Sequence, residues 1–435
     1  TTNVTVEAGA QLIVDSTAAP VINNSASINL KSAGATYGKV YLTNGVNERV
    51  NSLSFDGVQQ TNGTWGATGS GAANIDDNFF AGGGVLNVLS GYGQWISDAD
   101  GNWSDSFNWT NNIVPTGSVA TAYFTNSISG NRAVNQDSST LNIANLWFGS
   151  PLNDWSLTNN AINLTNALGT PTLTVATNTA TISSAITSLQ GVIKTGAGTL
   201  ILNAPSNTFS SLAANAGSMN VSGASNSISN TAVSGAILSF SSQTNIARLV
   251  TVNSGTLTVS GITNNISALT NYAGTATFSG QTNVIGSLAV MGGQVSLGGA
   301  TNSVSTIIVT NGTLLVSGGT NKTGAITVNS GTLTFTDTGT NTLTNNVYLT
   351  GGTNLARLNI NGPVAMNGNY NLQVGNTAGS RAVATFTTNG AFWQAQVGYN
   401  NATAAGALFQ SNGTIVITNS ADTDDAFVVG RNALG

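Results

Sequence analysis

The chain contains neither cysteine nor histidine in 435 residues, and only 6% of those residues are charged. Without cysteine no disulfide can brace it, so packing alone must hold whatever fold it adopts. Without histidine it lacks the commonest acid–base group and metal ligand at neutral pH. Ten Lys and Arg against fifteen Asp and Glu give a net charge of -5, and the basic residues form no cluster. Such a surface has nothing to offer the phosphates of a nucleic acid or an anionic membrane. No apolar run reaches the roughly eighteen residues expected of a membrane-spanning helix. No signal peptide precedes Thr1, so we expect a processed chain or an internal segment.

What is present in quantity is glycine, with 52 residues, and a strict periodicity. Gly198, Gly217, Ala236, Gly255, Gly274, Gly293, Gly312 and Gly331 follow one another at steps of nineteen. Two residues past each anchor the side chain is apolar, as in Leu200, Met219, Leu238 and Leu257, and four residues past it is apolar again, as in Leu202, Val221, Phe240 and Val259. That alternation marks a strand with one face buried. A second apolar pair follows later in the period, clearest at Val250 with Val252, Leu288 with Val290, Ile307 with Val309 and Ile326 with Val328.

Nine residues past the anchor stands asparagine, at Asn207, Asn226, Asn245, Asn264, Asn283, Asn302 and Asn321, with Asn341 displaced by one. A nineteen-residue unit cannot bury an apolar face alone, so successive units must stack into one core. The fold expected is all-β, a parallel β-solenoid of about 19 residues per coil with irregular modules at both ends. Asparagine at one place in every coil would form a ladder of side-chain amides along the axis. Glycine at the anchor suits a corner that needs positive φ or close backbone approach. Stacking also explains the shortage of charge. Like charges ~4.8 Å apart in neighbouring coils repel, and from 190 to 350 only Lys194, Arg248, Lys322 and Asp337 are charged.

Composition divides the chain at 1–90, 91–190, 191–350 and 351–435. Strand-like runs open the first part at Asn3 to Val6, Gln11 to Val14 and Ile28 to Lys31. The block from Gly38 to Gly91, with Leu53, Phe55, Gly57, Trp65, Gly66, Asp76 and Phe80, resembles the closing segment of modules in bacterial autotransporter-associated β-strand repeat proteins. The second part resembles the opening segment of such modules, through Gly101, Asn102, Trp103, Asn108, Trp109 and Pro115. The third carries the family's repeat through Gly196, Gly198, Thr199, Leu200, Leu202, Asn207, Thr208, Phe209, Gly217 and Val221. In later coils Ile or Val replaces the aromatic residue of the Asn-Thr-aromatic turn. The fourth part shows an irregular Val-Gly unit, near Leu372 to Gly390, at Val397-Gly398 and at Val429-Gly430. The chain reads as a window on a longer polypeptide.

The resemblance implies a secreted or surface-exposed protein of a bacterium, and no cofactor is expected. We expect a non-catalytic structural protein whose partner is itself, through head-to-tail stacking or successive modules of one chain. The alternative is an adhesin or glycan-binding passenger contacting surface glycans. Trp95, Trp103 and Trp109 are expected to cap the core or, in that alternative, to stack on sugars. Catalysis by paired carboxylates would need two acids at a set distance, and the candidates are Asp76 with Asp77, Asp98 with Asp100, and Asp422 with Asp424 and Asp425. None has a basic neighbour in sequence, so all read as loop acids and no catalytic residue is expected. Asp98, Asp100 and Asn102, with Asp105 nearby, alternate as oxygen ligands do in a calcium loop but lack the distal glutamate. An Asx-rich turn is the expected reading, with calcium as the weak alternative.

Overall fold

The computed structural model describes residues 3–17, 21–23, 26–50, 52–88, 92–110, 114–167, 169–336, 339, 341–352, 354–366, 368–375, 377–398, 403–417 and 427–429. Among them the secondary structure is almost entirely β, with one short 3₁₀ turn at Ser106–Asn108. Among the described residues no helix is long and apolar enough to cross a membrane. The chain forms two compact units, Thr1–Ser210 and Ser211–Gly435, the division falling inside the regular repeats.

In the first unit the three strand runs anticipated near the start form as Asn3–Val6, Gln11–Val14 and Ser27–Leu30. Alternating sequence sets the register: Val4 lies beside Ile28 and Ile28 beside Leu53, while Val6, Leu30 and Phe55 make the next column. A second flank pairs Leu12 with Val40 and Val40 with Phe80, and a third pairs Val50 with Val88. Val6, Val14, Ile28, Leu30, Val40, Leu42 and Leu53 fill the space between the flanks. Removing such side chains from water supplies about 25 cal/mol per Å² of apolar area, the main force holding a coil closed.

After residue 91 the coils of this unit keep the same parallel stacking. Gly101 pairs with Val134, Val134 with Leu157, Leu157 with Ile182 and Ile182 with Leu202. A parallel neighbour must be reached by a full circuit of the chain, and here each circuit is one coil.

The second unit carries the regular repeat. From Thr244 each coil pairs with the next through three four-residue segments, shown by Thr244–Ala247, Leu249–Val252 and Thr256–Val259 against residues nineteen later. Six side chains per coil point inward, and these are the columns that the sequence marks as apolar or asparagine. Leu238, Leu257, Ala276, Val295, Leu314 and Leu333 form one such column and are buried. Both reasons for glycine at the anchors are met. Gly217, Gly255, Gly293 and Gly331 take positive φ, whereas a Cβ on Gly274 or Gly312 would lie 2.5 Å from a valine Cγ1 of the preceding coil. Beyond Phe335 the stacking persists with longer circuits, as Leu333 pairs with Leu358, Leu358 with Ala384 and Ala384 with Leu408.

Candidate functional site

The regular coils are joined by an amide ladder. Asn245 Nδ2 donates to Asn264 Oδ1 at 2.9 Å, Asn264 to Asn283 at 2.9 Å, Asn283 to Asn302 at 2.8 Å, Asn302 to Asn321 at 2.8 Å and Asn321 to Asn341 at 2.9 Å. All six are buried. The second amide hydrogen of Asn264 goes to Gly261 O, and that of Asn321 to Gly318 O. Each carboxamide therefore has partners inside a dry core, where an unpaired one would cost about 1–3 kcal/mol. Close approach of the turn to the ladder requires glycine: a Cβ on Gly280 would lie 2.2 Å from Asn264 Nδ2.

The ladder is interrupted between Asn226 and Asn245, which with Asn207 are expected in the same column. Asn207 Oδ1 accepts the Ile186 amide at 3.1 Å. Asn226 Nδ2 donates to the Ser242 hydroxyl and to Ser222 O, which leaves Asn245 Oδ1 buried without a partner. The cause is local. Position 242 is serine where Gly261, Gly280, Gly299 and Gly318 follow at the same step, and its hydroxyl intercepts the amide. Beside this fault Ala247 stands in a column with Ile228 and Ile266, and the missing methyl groups leave a small gap lined also by Phe240 and Leu257.

Trp95, Trp103 and Trp109 lie in the first unit at 0%, 1% and 0% exposure. Trp95 and Trp109 meet edge to face at 5.1 Å, Trp103 and Trp109 at 4.8 Å, and Phe124 touches all three. The Trp103 indole donates to Pro115 O and that of Trp109 to Trp103 O. These rings pack the coil interior. The sugar-stacking reading of these three residues is corrected, because a buried ring has no face to present.

The candidate acids hold backbone. Asp98 Oδ1 accepts the Ser129 amide at 2.9 Å and Arg132 Nε at 3.0 Å. The Ser129 backbone N–H, then its hydroxyl and Arg132, keep the Asp98 carboxyl below the usual carboxylate range. Asp100 Oδ1 accepts the Ala133 amide, Asn102 Oδ1 accepts Asn135 Nδ2, and Asp105 caps the 3₁₀ turn through the Phe107 amide. This is an Asx-rich turn tied to the next coil. Among the described residues no three acidic, cysteine or histidine side chains gather where they could hold a metal ion.

Asp76 and Asp77 also serve turns. Asp76 Oδ1 accepts the Asn78 amide, and Asp77 grips Thr68 with both oxygens at 2.7 Å, one on the amide and one on the hydroxyl. The same two-pronged clamp joins Asp56 to Ser32 and Asp137 to Ser104. Asp422, Asp424 and Asp425 lie outside the described residues.

Sequence reading did not single out two further features. Lys194 points into the core at 0% exposure, its ammonium donating to Gly196 O and Gly198 O at 2.7 Å. Burial pushes its pKa down to about 8. The second is Trp147, which is 40% exposed while Leu146 and Phe148 on either side are buried. The in-out alternation of a strand was the signal that places it outside.

Compared with known protein families, characterised proteins and solved structures, the chain has no match in any of the three. Its likeness to autotransporter-associated repeats therefore rests on the residues quoted above.

Proposed function

We propose that this chain is a non-catalytic structural protein of a bacterial cell exterior, a solenoid rod that forms, or belongs to, a surface fibre through end-to-end stacking. The observation that carries this reading is the Asn245-to-Asn341 ladder inside a stack of equal coils. Such a core repeats by translation, so each added coil lengthens the stack without altering its section. The ends of any coil stack present unpaired strand edges, which favour pairing with a further module or subunit. Among the described residues the candidate acids Asp76, Asp77, Asp98 and Asp100 hold turns, which supports a structural reading. The extracellular location is what the family resemblance implies.

Negative-stain microscopy across a concentration series tests the reading. Elongated particles that lengthen or join end to end are expected, whereas short isolated particles at high concentration and native pH would count against it. A second reading, an adhesin or glycan-binding passenger, is favoured by the exposed aromatic residues of the first unit. Glycan arrays test this second reading: retention of no sugar would count against it.

A further inference from the structure

We propose that Tyr123 and Trp147 form a stacking platform for a neutral β-linked glycan on the outer sheet face of the first unit. Register places Gln94, Tyr123, Trp147, Thr174 and Thr195 in one column across successive coils. The two rings sit 5.8 Å apart with planes inclined by 31°, so they offer nearly continuous aromatic surface along the coil axis. Trp147 is the most exposed of the seven tryptophans, while Trp65, Trp95, Trp103, Trp109 and Trp155 are all buried. An indole left in water on a flat sheet forgoes the apolar burial that those five obtain.

The surroundings select the occupant. Beside the rings runs a column of Thr121, Asn145 and Thr172. Asn145 is held rigid, donating to the Thr121 hydroxyl at 3.1 Å and accepting the Thr172 amide and hydroxyl at 2.9 Å. Thr174 and Thr195 share a hydroxyl hydrogen bond of 2.8 Å at the end of the aromatic column. No residue in either column is charged, so the face selects against polyanions and polycations. Two rings bordered by hydroxyls and amides also make too small an apolar area for a stable protein partner, which needs roughly 800 Å² per side. A pyranose with equatorial substituents fits both features: its axial C–H face lies on an aromatic ring, and its rim hydroxyls meet amides and threonines. β-1,4-Linked chains of such sugars are extended and can follow a straight row of rings. The proposal stands whether or not the chain assembles into fibres.

Intrinsic tryptophan fluorescence of the full chain, titrated with cellohexaose, laminarihexaose, chitohexaose and maltohexaose, tests it. At least one β-linked hexasaccharide should produce a saturable blue shift that is insensitive to salt. Followed by isothermal titration calorimetry, which does not depend on the indole, Trp147→Ala should weaken that binding at least about tenfold, and Trp147→Phe by less. Circular dichroism checks that the variants fold. A readout on the unmodified chain covers the case in which they do not: bound hexasaccharide should protect Trp147 from oxidation by N-bromosuccinimide, read by peptide mass mapping. The proposal is overturned by silence from every β-linked probe, by unchanged affinity in folded Trp147→Ala, by protection elsewhere than Trp147, or by preference for maltohexaose.

Discussion

In the first unit Gly101 pairs with Val134, Val134 with Leu157 and Leu157 with Ile182, steps of 33, 23 and 25 residues. In the second, every step from Asn245 to Asn321 is 19. The long, uneven circuits enclose a pile of Trp95, Trp103, Trp109, Phe124, Phe148 and Trp155. The short, even ones enclose aliphatic columns and a line of amides. Rings fill a wide and irregular interior through mutual edge-to-face contact and need no identity between coils. An amide ladder works only when each coil repeats the last, because every donor must meet the next acceptor. The aromatic interior thus tolerates sequence variation, while the ladder depends on exact repetition and yields regularity in return.

That contrast can be broken most sharply in the ladder. Asn283→Asp would replace an amide donor that faces Asn302 Oδ1, Gly298 O and Gly280 O with a carboxylate facing three acceptors. A loss of about 4 kcal/mol is expected in denaturant unfolding at neutral pH. It should shrink as pH falls and the acid protonates; a loss below about 1 kcal/mol would mean that the ladder is not a dry core. In the aromatic region Trp109→Ala removes far more volume, yet its neighbours are adaptable rings. A loss of about 3 kcal/mol is expected, with near-UV circular dichroism diminished.

Lys194 gives a contrast in pH rather than in packing. Its folded pKa lies near 8, below the ordinary 10.5. Between these values the unfolded chain binds a proton that the folded chain has lost, so stability rises with pH across that window. Below about pH 8 both states are protonated and the penalty is constant. A rise on the order of 2 kcal/mol is expected from pH 7.5 to 10.5, and Lys194→Met should flatten it. The smallest effect belongs to the gap beside the ladder fault. Ala247→Val should fill part of it and raise stability by about 1 kcal/mol, seen as a higher unfolding midpoint.

The sequence displayed the solenoid itself: inward positions two and four past each anchor alternate with Thr and Ser, and only stacking accounts for asparagine at a constant step. It was less informative where a contact depends on an irregular span. The clamps Asp56–Ser32 and Asp137–Ser104 join residues 24 and 33 apart, with no common period to reveal them. The ladder fault hangs on one hydroxyl at Ser242, a detail of reach that periodicity cannot show. Trp147 was legible, since Leu146 and Phe148 set the parity of its strand, but the richness of the neighbouring segment in tryptophan drew attention to three rings that turn inward. After Phe335 the circuits lengthen, so the columns continue although the period does not.

Because the chain has no cysteine, paired cysteines can test coil register without background. Thr258 and Thr277 are lateral partners on the exterior of neighbouring coils, at the ~4.8 Å spacing of adjacent strands, within disulfide reach. Thr258 and Thr275 are offset by a further two residues, a separation of roughly 8 Å that exceeds that reach. Under mild oxidation the double variant Thr258→Cys/Thr277→Cys should cross-link within the chain, and Thr258→Cys/Thr275→Cys should stay reduced. The reverse pattern, or no cross-link in either, would contradict a nineteen-residue coil stacked in register.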